Sequence, residues 1–329
     1  MKNELLHKKS RAFNEVSIDK NRCIVYKKSS NAQKLKTEYN WYQQVPKDLS
    51  GFIPQAIGYF SDLDTAELQL EYCPYSTLSE VFTSCPELDW KKIVLRLIEV
   101  LRYFEKCTRI PCQQEVQDEI NSFYSTKLKQ RIATLRLNSK WDRLLAKSEL
   151  VINGKSYPNI DLNFLVEHQE SLGKEASLSV VHGDYCLSNI LYDLNSGCLK
   201  LIDPRGYFEN IEKPSIYGDL NYDLAKLLHS IHGYYDFIVS GKYTLIEFDE
   251  QFRFQVNVPT QYKFLKSWVV SNLSQSLGSD FTKDLLFLEV SLFVSMIPLH
   301  YEDSKRQLAF YLNAVLLYNE IVEDFKLKI

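Results

Sequence analysis

The sequence predicts an α+β protein with two lobes, a small mixed N-terminal lobe and a larger, mainly helical C-terminal lobe. The chain has 329 residues, a length typical of two domains or of one large domain. Short β-like runs dominate the first 75 residues, whereas long helical patterns dominate from Ser79 onward. We therefore assign residues 1–75 to the first lobe and residues 76–329 to the second.

Three β-like runs and one helical stretch make up the predicted N-terminal lobe. These short runs read RCIVYKK, QAIGYF and ELQLEYC. The helical stretch, NAQKLKTEYNWYQQV, lies between the first two. The segment EYCPYST at 71–77 contains Pro74, so we predict that it connects the lobes.

The C-terminal lobe begins with a strong helical pattern. In LDWKKIVLRLIEVLRYFEKC, Asp89 is placed to cap the start of a helix. Apolar residues then recur at helical spacing and predict one buried face, made of Ile93, Leu97, Val100, Leu101 and Phe104.

A β-hairpin is the one clear β signal that we find in the C-terminal lobe. The runs SNILYD and CLKLID are joined by LNSG, in which Asn195 and Gly197 tolerate positive φ. This pattern predicts two antiparallel strands with a tight turn.

Composition excludes several classes of partner. The formal net charge is −3 and no block of five like charges occurs, so we expect no nucleic-acid partner. The N-terminus lacks the apolar core of a signal peptide. The longest apolar run, Leu285 to Leu299, is interrupted by Glu289 and is too short to span a bilayer. We therefore expect a cytoplasmic protein with no membrane partner.

The seven cysteines carry no sign of a zinc site. The nearest pair, Cys107 and Cys112, has no second pair or nearby histidine that would complete a ligand set. We interpret all seven as reduced, mostly buried thiols.

Three polar residues surround the predicted hairpin. Asp184 lies in the loop before the first strand, Asn189 lies at the start of that strand, and Asp203 ends the second strand. Antiparallel pairing brings the start of one strand beside the end of the other, so we expect these side chains to face one cleft. Oxygen ligands in such small number suit Mg²⁺ that is shared with substrate phosphates. A carboxylate left off the metal is then a candidate base, which is the arrangement that phosphoryl transfer requires.

At these residues the chain resembles a known family. HGDYCLSN resembles the H-G-D-x-x-x-x-N catalytic loop of the aminoglycoside phosphotransferase and choline kinase group, relatives of protein kinases. IDPRG resembles the D-x-x or D-F-G metal segment of that group, and YGDLNYDLAKLLHSI resembles its G-D-x-x-x-D-L-A segment. The resemblance extends over most of the chain and implies a bilobal, protein-kinase-like fold.

The resemblance also implies roles for the hairpin residues. Asp184 would be the catalytic base, Asn189 and Asp203 would bind Mg²⁺, and His182 would brace the loop rather than act as an acid or base. Arg205 adjoins the metal segment, and a contact with phosphate and a contact with the acceptor are both open for it.

The N-terminal lobe would then hold the nucleotide. A strand-borne lysine in CIVYKK resembles that of the kinase V-A-I-K motif, which holds the α- and β-phosphates. Lys27 shares a strand face with Val25 and Lys28 shares one with the bulkier Tyr26, so we favour Lys27 and keep Lys28 as the alternative. Glu38 lies where the ion-pair partner of this lysine is expected.

A kinase-like hinge and a departure from the kinase pattern complete the N-terminal lobe. LQLEYCPYSTLSEVF resembles a hinge, in which backbone atoms of Glu71 and Cys73 would contact the adenine edge. No glycine occurs before Gly51, so the glycine-rich phosphate loop of protein kinases is absent, and SRAFNEVSID occupies its place. This departure argues against a protein kinase and leaves the choice between ATP and GTP open.

We therefore expect Mg²⁺-dependent transfer of the γ-phosphoryl group of ATP to a hydroxyl of a small metabolite. The segment from IDPRGYF to HGYYDF looks closest to family members associated with bacterial surface-polysaccharide pathways, which favours a sugar or amino-alcohol acceptor. An antibiotic-modifying phosphotransferase, a protein kinase and a nucleotide-binding regulatory protein without transfer activity are the alternatives. No A-P-E segment is found for the protein kinase. The oligomeric state is left open.

Overall fold

A computed structural model of the chain describes residues 6–9, 14–109, 122–172, 178–205 and 215–327. The chain divides into two compact units. The first comprises Met1–Val81, Glu99–Arg109 and Leu178–Leu220, and the second comprises Phe82–Ile98, Ile110–Ser177 and Asn221–Ile329. The predicted hairpin belongs to the first unit, together with the N-terminal strands. The boundary that we drew between residues 75 and 76 stays a prediction.

The first unit contains a five-stranded antiparallel sheet, and helix α1 (Ala32–Gln44) lies against its last two strands. Three strands and the helix lie where the sequence predicted them, and two strands precede them. In the spatial order β1-β2-β3-β5-β4, the strands are β1 (Leu6–Lys9), β2 (Asn14–Asp19), β3 (Ile24–Ser29), β5 (Ala66–Glu71) and β4 (Ala56–Ser61).

Two small sheets carry the hairpin and the segment that leads into it. In the first, the predicted hairpin pairs with a short strand of the connector, in the order β12 (Leu199–Leu201), β11 (Ile190–Tyr192) and β6 (Ser76–Thr77). In the second, the strand before the catalytic-loop motif is central, in the order β13 (Tyr217–Gly218), β10 (Leu178–Val180) and β7 (Thr108–Arg109). The hairpin that the sequence predicted is confirmed.

Helices α2 (Leu78–Ser84) and α3 (Trp90–Glu105) follow the connector. The α3 prediction is confirmed. The Lys92 backbone N–H donates to the Asp89 carboxylate at 3.2 Å, and the five apolar residues of its predicted face are buried.

Most of the second unit is helical. Its helices are α4 (Lys127–Arg136), α5 (Ser139–Leu145), α6 (Leu162–Ser171), α7 (Leu220–Ile231), α8 (Tyr235–Val239), α9 (Thr260–Leu277), α10 (Ser279–Met296) and α11 (Ser304–Asp324). Helix α10 holds the apolar run that Glu289 interrupts. Glu289 is fully buried there and its Oε2 lies 2.7 Å from Nδ1 of buried His232. The predicted α+β class, with a small N-terminal sheet region and a helical C-terminal region, is confirmed.

The second unit also contains a four-stranded sheet that the sequence analysis missed. Its order is β14 (Tyr243–Phe248), β15 (Gln251–Val256), β8 (Glu149–Ile152) and β9 (Lys155–Pro158). The turn between β8 and β9 is Asn153-Gly154, with φ values of 54° and 78°, and this dipeptide is a strong local hairpin signal. The pairing of β15 with β8 depends on residues about a hundred positions apart.

The described ranges include six cysteines, none of them in a disulfide, and Cys112 lies outside these ranges. Only Cys73 and Cys186 are buried, so the expectation of mostly buried thiols is wrong for the described cysteines. Within the same ranges, every helix is too short or too polar to cross a membrane.

Gly233 provides a test of packing in the second unit. An alanine methyl group there would lie 2.6 Å from Glu289 Oε1 and 2.7 Å from Phe293 Cζ, and both neighbours are buried. We expect Gly233→Ala to lower the free energy of unfolding by about 1–3 kcal/mol, because overpacking forces these groups to move. Urea unfolding measures the change.

Gly51→Ala is the matched control. A methyl group at Gly51 meets no atom within 4 Å, so this variant should stay within about 0.5 kcal/mol of the parent protein. Equal stability of the two variants would contradict the packing around Gly233.

Candidate functional site

The loop before β11 and the residue after β12 meet at one end of the hairpin. Ile190 pairs with Leu201, and the Ile202 N–H donates a hydrogen bond to the Asn189 carbonyl oxygen at 2.9 Å. Asp203 is the next residue along the chain. The antiparallel register therefore brings Asn189 and Asp203 to the same end of the hairpin.

The segment from Asp184 to Asn189 is closed by its own hydrogen bonds. Asn189 Nδ2 donates to the Asp184 carbonyl oxygen at 2.9 Å, and the Asn189 backbone N–H donates to the Cys186 carbonyl oxygen at 3.0 Å. Because Nδ2 is used in this way, Oδ1 is the remaining polar atom of the Asn189 side chain. This oxygen is available to a ligand at the hairpin end.

Asp203 has a left-handed backbone conformation, with φ of 56°. L-residues rarely adopt this region, although Asp tolerates it better than most. The turn ends the hairpin and redirects the chain into Pro204 and Arg205. Non-glycine residues held in this region cluster at functional sites.

Lys27 of β3 connects the sheet, helix α1 and the hairpin end. Its ammonium nitrogen lies 2.8 Å and 2.7 Å from the two carboxylate oxygens of Glu38, and it also contacts the Asp203 carboxylate. Both Lys27 and Glu38 are buried. Burial by itself lowers the pKa of Lys27, but the charges of Asp203 and Glu38 outweigh it, so the pKa is raised above its ordinary value.

Lys28 lies on the opposite face of β3. Its side chain is exposed, and its ammonium nitrogen lies 3.3 Å from the Glu67 carboxylate of the adjacent strand β5. Of the two adjacent lysines, Lys27 alone lies beside Glu38 and Asp203.

Arg205 lies beside the predicted catalytic base. Its Nη2 atom is 2.9 Å from Asp184 Oδ2, and its backbone N–H donates to the His182 carbonyl oxygen at 2.7 Å. Burial raises the pKa of Asp203, but Lys27 and then Arg205 outweigh it, and that pKa is lowered below its ordinary value. The carboxylates of Asp184 and Asp203 are therefore each held by a cation in this structure.

His182 is buried and joins the two sides of the hairpin loop. Its Nε2 lies 3.0 Å from the Ile202 carbonyl oxygen, and its Nδ1 accepts from the Asp184 backbone N–H at 3.3 Å. These partners require a neutral ring that carries its proton on Nε2. Burial lowers the pKa of His182 from its ordinary value to about 4, although Asp184 opposes the shift. These contacts are those of a side chain that orients the loop.

The hinge candidates lie at the end of β5. The Glu71 N–H donates to the Gln55 carbonyl oxygen at 2.9 Å, and Glu71 Oε2 accepts from the Gln55 N–H at 3.1 Å. Cys73 is buried, and its carbonyl oxygen accepts from the Tyr75 N–H at 2.8 Å. Their contacts with adenine stay a prediction.

A pocket opens beside Lys27 within the first unit. Its lining is mostly charged and consists of Lys27, Ser29, Lys34, Leu35, Glu38, Asp203, Pro204 and Arg205. Three cations around a small pocket suit a highly charged anion such as a polyphosphate.

The oxygen atoms at the hairpin end fit Mg²⁺. The described part of the chain has no cluster of three or more His, Cys, Asp or Glu residues that could enclose a metal ion. Asn189 Oδ1 and the Asp203 carboxylate would form a smaller set of hard oxygen ligands, which would leave positions for water and phosphate oxygens. We conclude that the residues present suit a Mg²⁺ ion that is shared with a phosphate ligand.

Two residues of the site escaped the sequence analysis. Trp41 Nε1 donates to the Val181 carbonyl oxygen at 2.8 Å, and its ring lies edge-on to His182. Lys34 lines the pocket beside Lys27. Helical spacing from Glu38 was the available signal, because residues three or four positions away on α1 share its face.

No protein-family model and no curated protein sequence matches this chain. The fold, in contrast, has close counterparts among solved structures. A thermostable mutant of the aminoglycoside phosphotransferase APH(4)-Ia, in a ternary complex with AMP-PNP and hygromycin B, aligns with a TM-score of 0.61 and 11% identity. The alignment covers 98% of this chain and 94% of that one.

A second counterpart is a putative fructosamine-3-kinase from Haemophilus somnus 129PT. It aligns with a TM-score of 0.55 and 12% identity over 97% of this chain and 91% of its own. At these identities the likeness establishes the fold. The chain has the kinase-like fold of aminoglycoside phosphotransferases, as the sequence predicted.

His182 yields a prediction for pH dependence. Its pKa in the folded protein, about 4, lies below the ordinary value of 6.5, so between these pH values the unfolded chain binds a proton that the folded chain excludes. This contribution to stability is present above pH 6.5 and is lost as the pH falls toward 4. We expect His182→Gln to reduce the acid-induced decrease in the free energy of unfolding by up to a few kcal/mol, since one pKa unit corresponds to about 1.4 kcal/mol.

Urea unfolding at a series of pH values measures this slope. Above pH 6.5 the variant should be less stable because it loses the ring contacts, and its slope there should match that of the parent protein. An unchanged slope between pH 6.5 and 4 would show that His182 is not held neutral by burial.

Proposed function

We propose that this protein is a phosphotransferase that moves the γ-phosphoryl group of ATP to a hydroxyl of a small molecule. The observation that carries the proposal is the meeting of the buried Lys27–Glu38 pair with Asp203, Asn189 and Asp184 at one end of the hairpin. The structural counterparts support the same class of reaction, since one holds AMP-PNP together with hygromycin B.

Lys27 would bind phosphate oxygens of the nucleotide. Glu38 fixes the Lys27 ammonium group on the pocket side of β3. The same ammonium group also donates to the Asp203 carboxylate at the hairpin end. A phosphate anion offers the same kind of acceptor as the Asp203 carboxylate. Lys27 can therefore exchange Asp203 for phosphate while it keeps Glu38.

Asn189 and Asp203 would hold Mg²⁺. When bound, the ion would neutralise charge on the phosphate oxygens and align the γ-phosphoryl group. Release of Asp203 from Lys27 frees its carboxylate for this role. The amide oxygen of Asn189 is already oriented by the hydrogen bond from Nδ2 to the loop.

Asp184 would orient the acceptor hydroxyl and take its proton. The bond between the γ-phosphorus and the bridging oxygen of ADP breaks, a bond to the acceptor oxygen forms, and the hydroxyl proton passes to the Asp184 carboxylate. Arg205 now holds this carboxylate at 2.9 Å, so it must move away, or share the oxygen, when the acceptor binds. A contact between Arg205 and the transferred phosphoryl group would draw the Arg205 side chain away from Asp184.

The acceptor class is the finer part of the proposal. Hygromycin B, which is bound by one counterpart, is a small hydroxyl-bearing molecule, and sugars and amino alcohols share this chemistry. An aminoglycoside is therefore an alternative acceptor to a sugar or an amino alcohol. The association with surface polysaccharides rests on sequence resemblance alone, and GTP stays an alternative to ATP.

A phosphoryl-transfer screen tests the function. Radiolabelled γ-phosphoryl transfer from ATP and from GTP, with Mg²⁺, would be measured against sugars, amino alcohols and aminoglycosides. Transfer to one class above the rate of nucleotide hydrolysis supports the proposal. Nucleotide binding without transfer to any member would favour the regulatory alternative.

The role of Asp184 gives a prediction for turnover. Asp184→Asn keeps the size of the side chain and one oxygen but removes the charge that accepts the proton. We expect turnover with the acceptor from the screen to fall by about 10²–10⁴-fold, while affinity for ATP stays nearly unchanged.

Asp193→Asn is the matched control, because Asp193 lies at the turn end of the same hairpin, where it accepts from the Asn195 backbone N–H. Its turnover should equal that of the parent enzyme. Near-normal turnover in Asp184→Asn would mean that this carboxylate only braces the loop.

The strand register gives a prediction for nucleotide binding. Lys27→Ala should raise the Michaelis constant for the nucleotide and lower turnover far more than Lys28→Ala, since of these two strand residues Lys27 faces the pocket and Lys28 does not. Steady-state kinetics with both variants measures the difference.

Removal of Lys27 leaves Glu38 buried without its partner, which destabilises the protein by itself. A Lys27→Met, Glu38→Gln double variant removes both charges and separates folding from binding. It should fold, by circular dichroism, and still bind nucleotide poorly. Strong nucleotide binding by this double variant, or a larger defect in Lys28→Ala, would contradict the assignment.

A further inference from the structure

Helix α1 presents a second lysine to the pocket beside Lys27. The Asn31 side chain caps the helix by accepting from the Lys34 backbone N–H at 3.0 Å, so Lys34 lies in the first turn. Glu38 follows four residues later, which puts both side chains on one helix face. Lys34, Glu38 and Lys27 all line the same pocket.

Lys34 differs from the other two cations of the pocket in its ion pairing. Lys27 pairs with Glu38 and Asp203, and Arg205 pairs with Asp184. Among the described residues, no carboxylate lies within 4.0 Å of the Lys34 ammonium group. The Lys34 side chain is exposed, and desolvation beside the pocket together with the nearby charge of Arg205 lowers its pKa, so an anion in the pocket would relieve this repulsion.

The sequence lacks one common source of phosphate ligands. A glycine-rich loop usually contributes backbone N–H groups to the phosphates, and no glycine occurs before Gly51 in this chain. A lysine at the pocket rim supplies the same kind of interaction through a mobile charged group.

We propose that Lys34 binds the β- and γ-phosphates of the nucleotide as a third cation of the pocket, in place of a glycine-rich loop. The inference rests on the proposed function, because it assumes that the pocket takes a nucleotide. It assigns to Lys34 the discrimination between nucleotides by the number of their phosphates. Contact with the adenosine part is left to other residues.

Calorimetric titration with ATP, ADP, AMP and adenosine tests this role. Lys34→Gln should weaken ATP binding about tenfold or more, because a charge-assisted hydrogen bond to phosphate is lost, and it should leave adenosine binding unchanged. Lys34→Arg keeps the charge and should restore most of the affinity for ATP. The salt dependence of ATP binding should also become weaker in Lys34→Gln.

Lys36→Gln is the matched control. Lys36 has the same charge on the same helix, is exposed and does not line the pocket. Its affinities for all four ligands should equal those of the parent protein. Thermal unfolding should give the same midpoint for both glutamine variants, since neither lysine contributes to a buried ion pair.

Other outcomes separate the inference from the proposed function. An equal loss of affinity for adenosine and ATP in Lys34→Gln would mean that the residue shapes helix α1, and unchanged ATP affinity would exclude a phosphate contact. Either result overturns the role of Lys34 while the parent protein still binds ATP. Failure of the parent protein to bind any of the nucleotides would overturn the proposed function together with this inference.

Discussion

The buried ion pair between Lys27 and Glu38 is the interaction on which the proposed site depends. A charge buried without a partner costs several kcal/mol, so neither residue could occupy its position alone. The pair joins strand β3 to helix α1, and the contact with Asp203 extends this connection to the hairpin end. Three segments that are distant in sequence are thereby held around one pocket. A ligand that replaces Asp203 beside Lys27 would make the Lys27 ammonium group and the Asp203 carboxylate available for binding.

The hairpin supplies the second constraint, because its backbone decides where the oxygen ligands lie. The register of β11 with β12 brings Asn189 and Asp203 to one end, and the left-handed conformation of Asp203 turns the chain toward Arg205. The Arg205 side chain in turn contacts the carboxylate of Asp184, the predicted base. In this structure Asp184 and Asp203 each have a cation of the site as partner. In the proposed reaction, phosphate groups of the nucleotide would replace these internal partners, and the Asp184 carboxylate would become accessible to the acceptor.

The second unit contains a buried ionisable pair with a structural position. Glu289 of helix α10 and His232 are both buried and lie 2.7 Å apart, and Glu289 packs beside Gly233. This pair explains how one carboxyl group can interrupt the apolar run that begins at Leu285. The contrast with Lys27 is one of access, because the Lys27 pair borders a pocket and the His232 pair lies in the core.

The sequence by itself determined the hairpin, helix α1, helix α3 and the candidate residues of the catalytic loop, because these depend on local periodicity, turn residues and short motifs. It also carried a signal that we missed, the Asn153-Gly154 turn of the additional sheet. Only the tertiary structure decided which lysine of β3 faces the pocket. Strand alternation states that Lys27 and Lys28 face opposite sides, but the position of α1 selects the side. The tertiary structure also decided the contact of Arg205 with Asp184 and the contact of Trp41 with Val181. It likewise decided that Lys34 lines the pocket. Each of these depends on packing between distant segments, which no local pattern encodes.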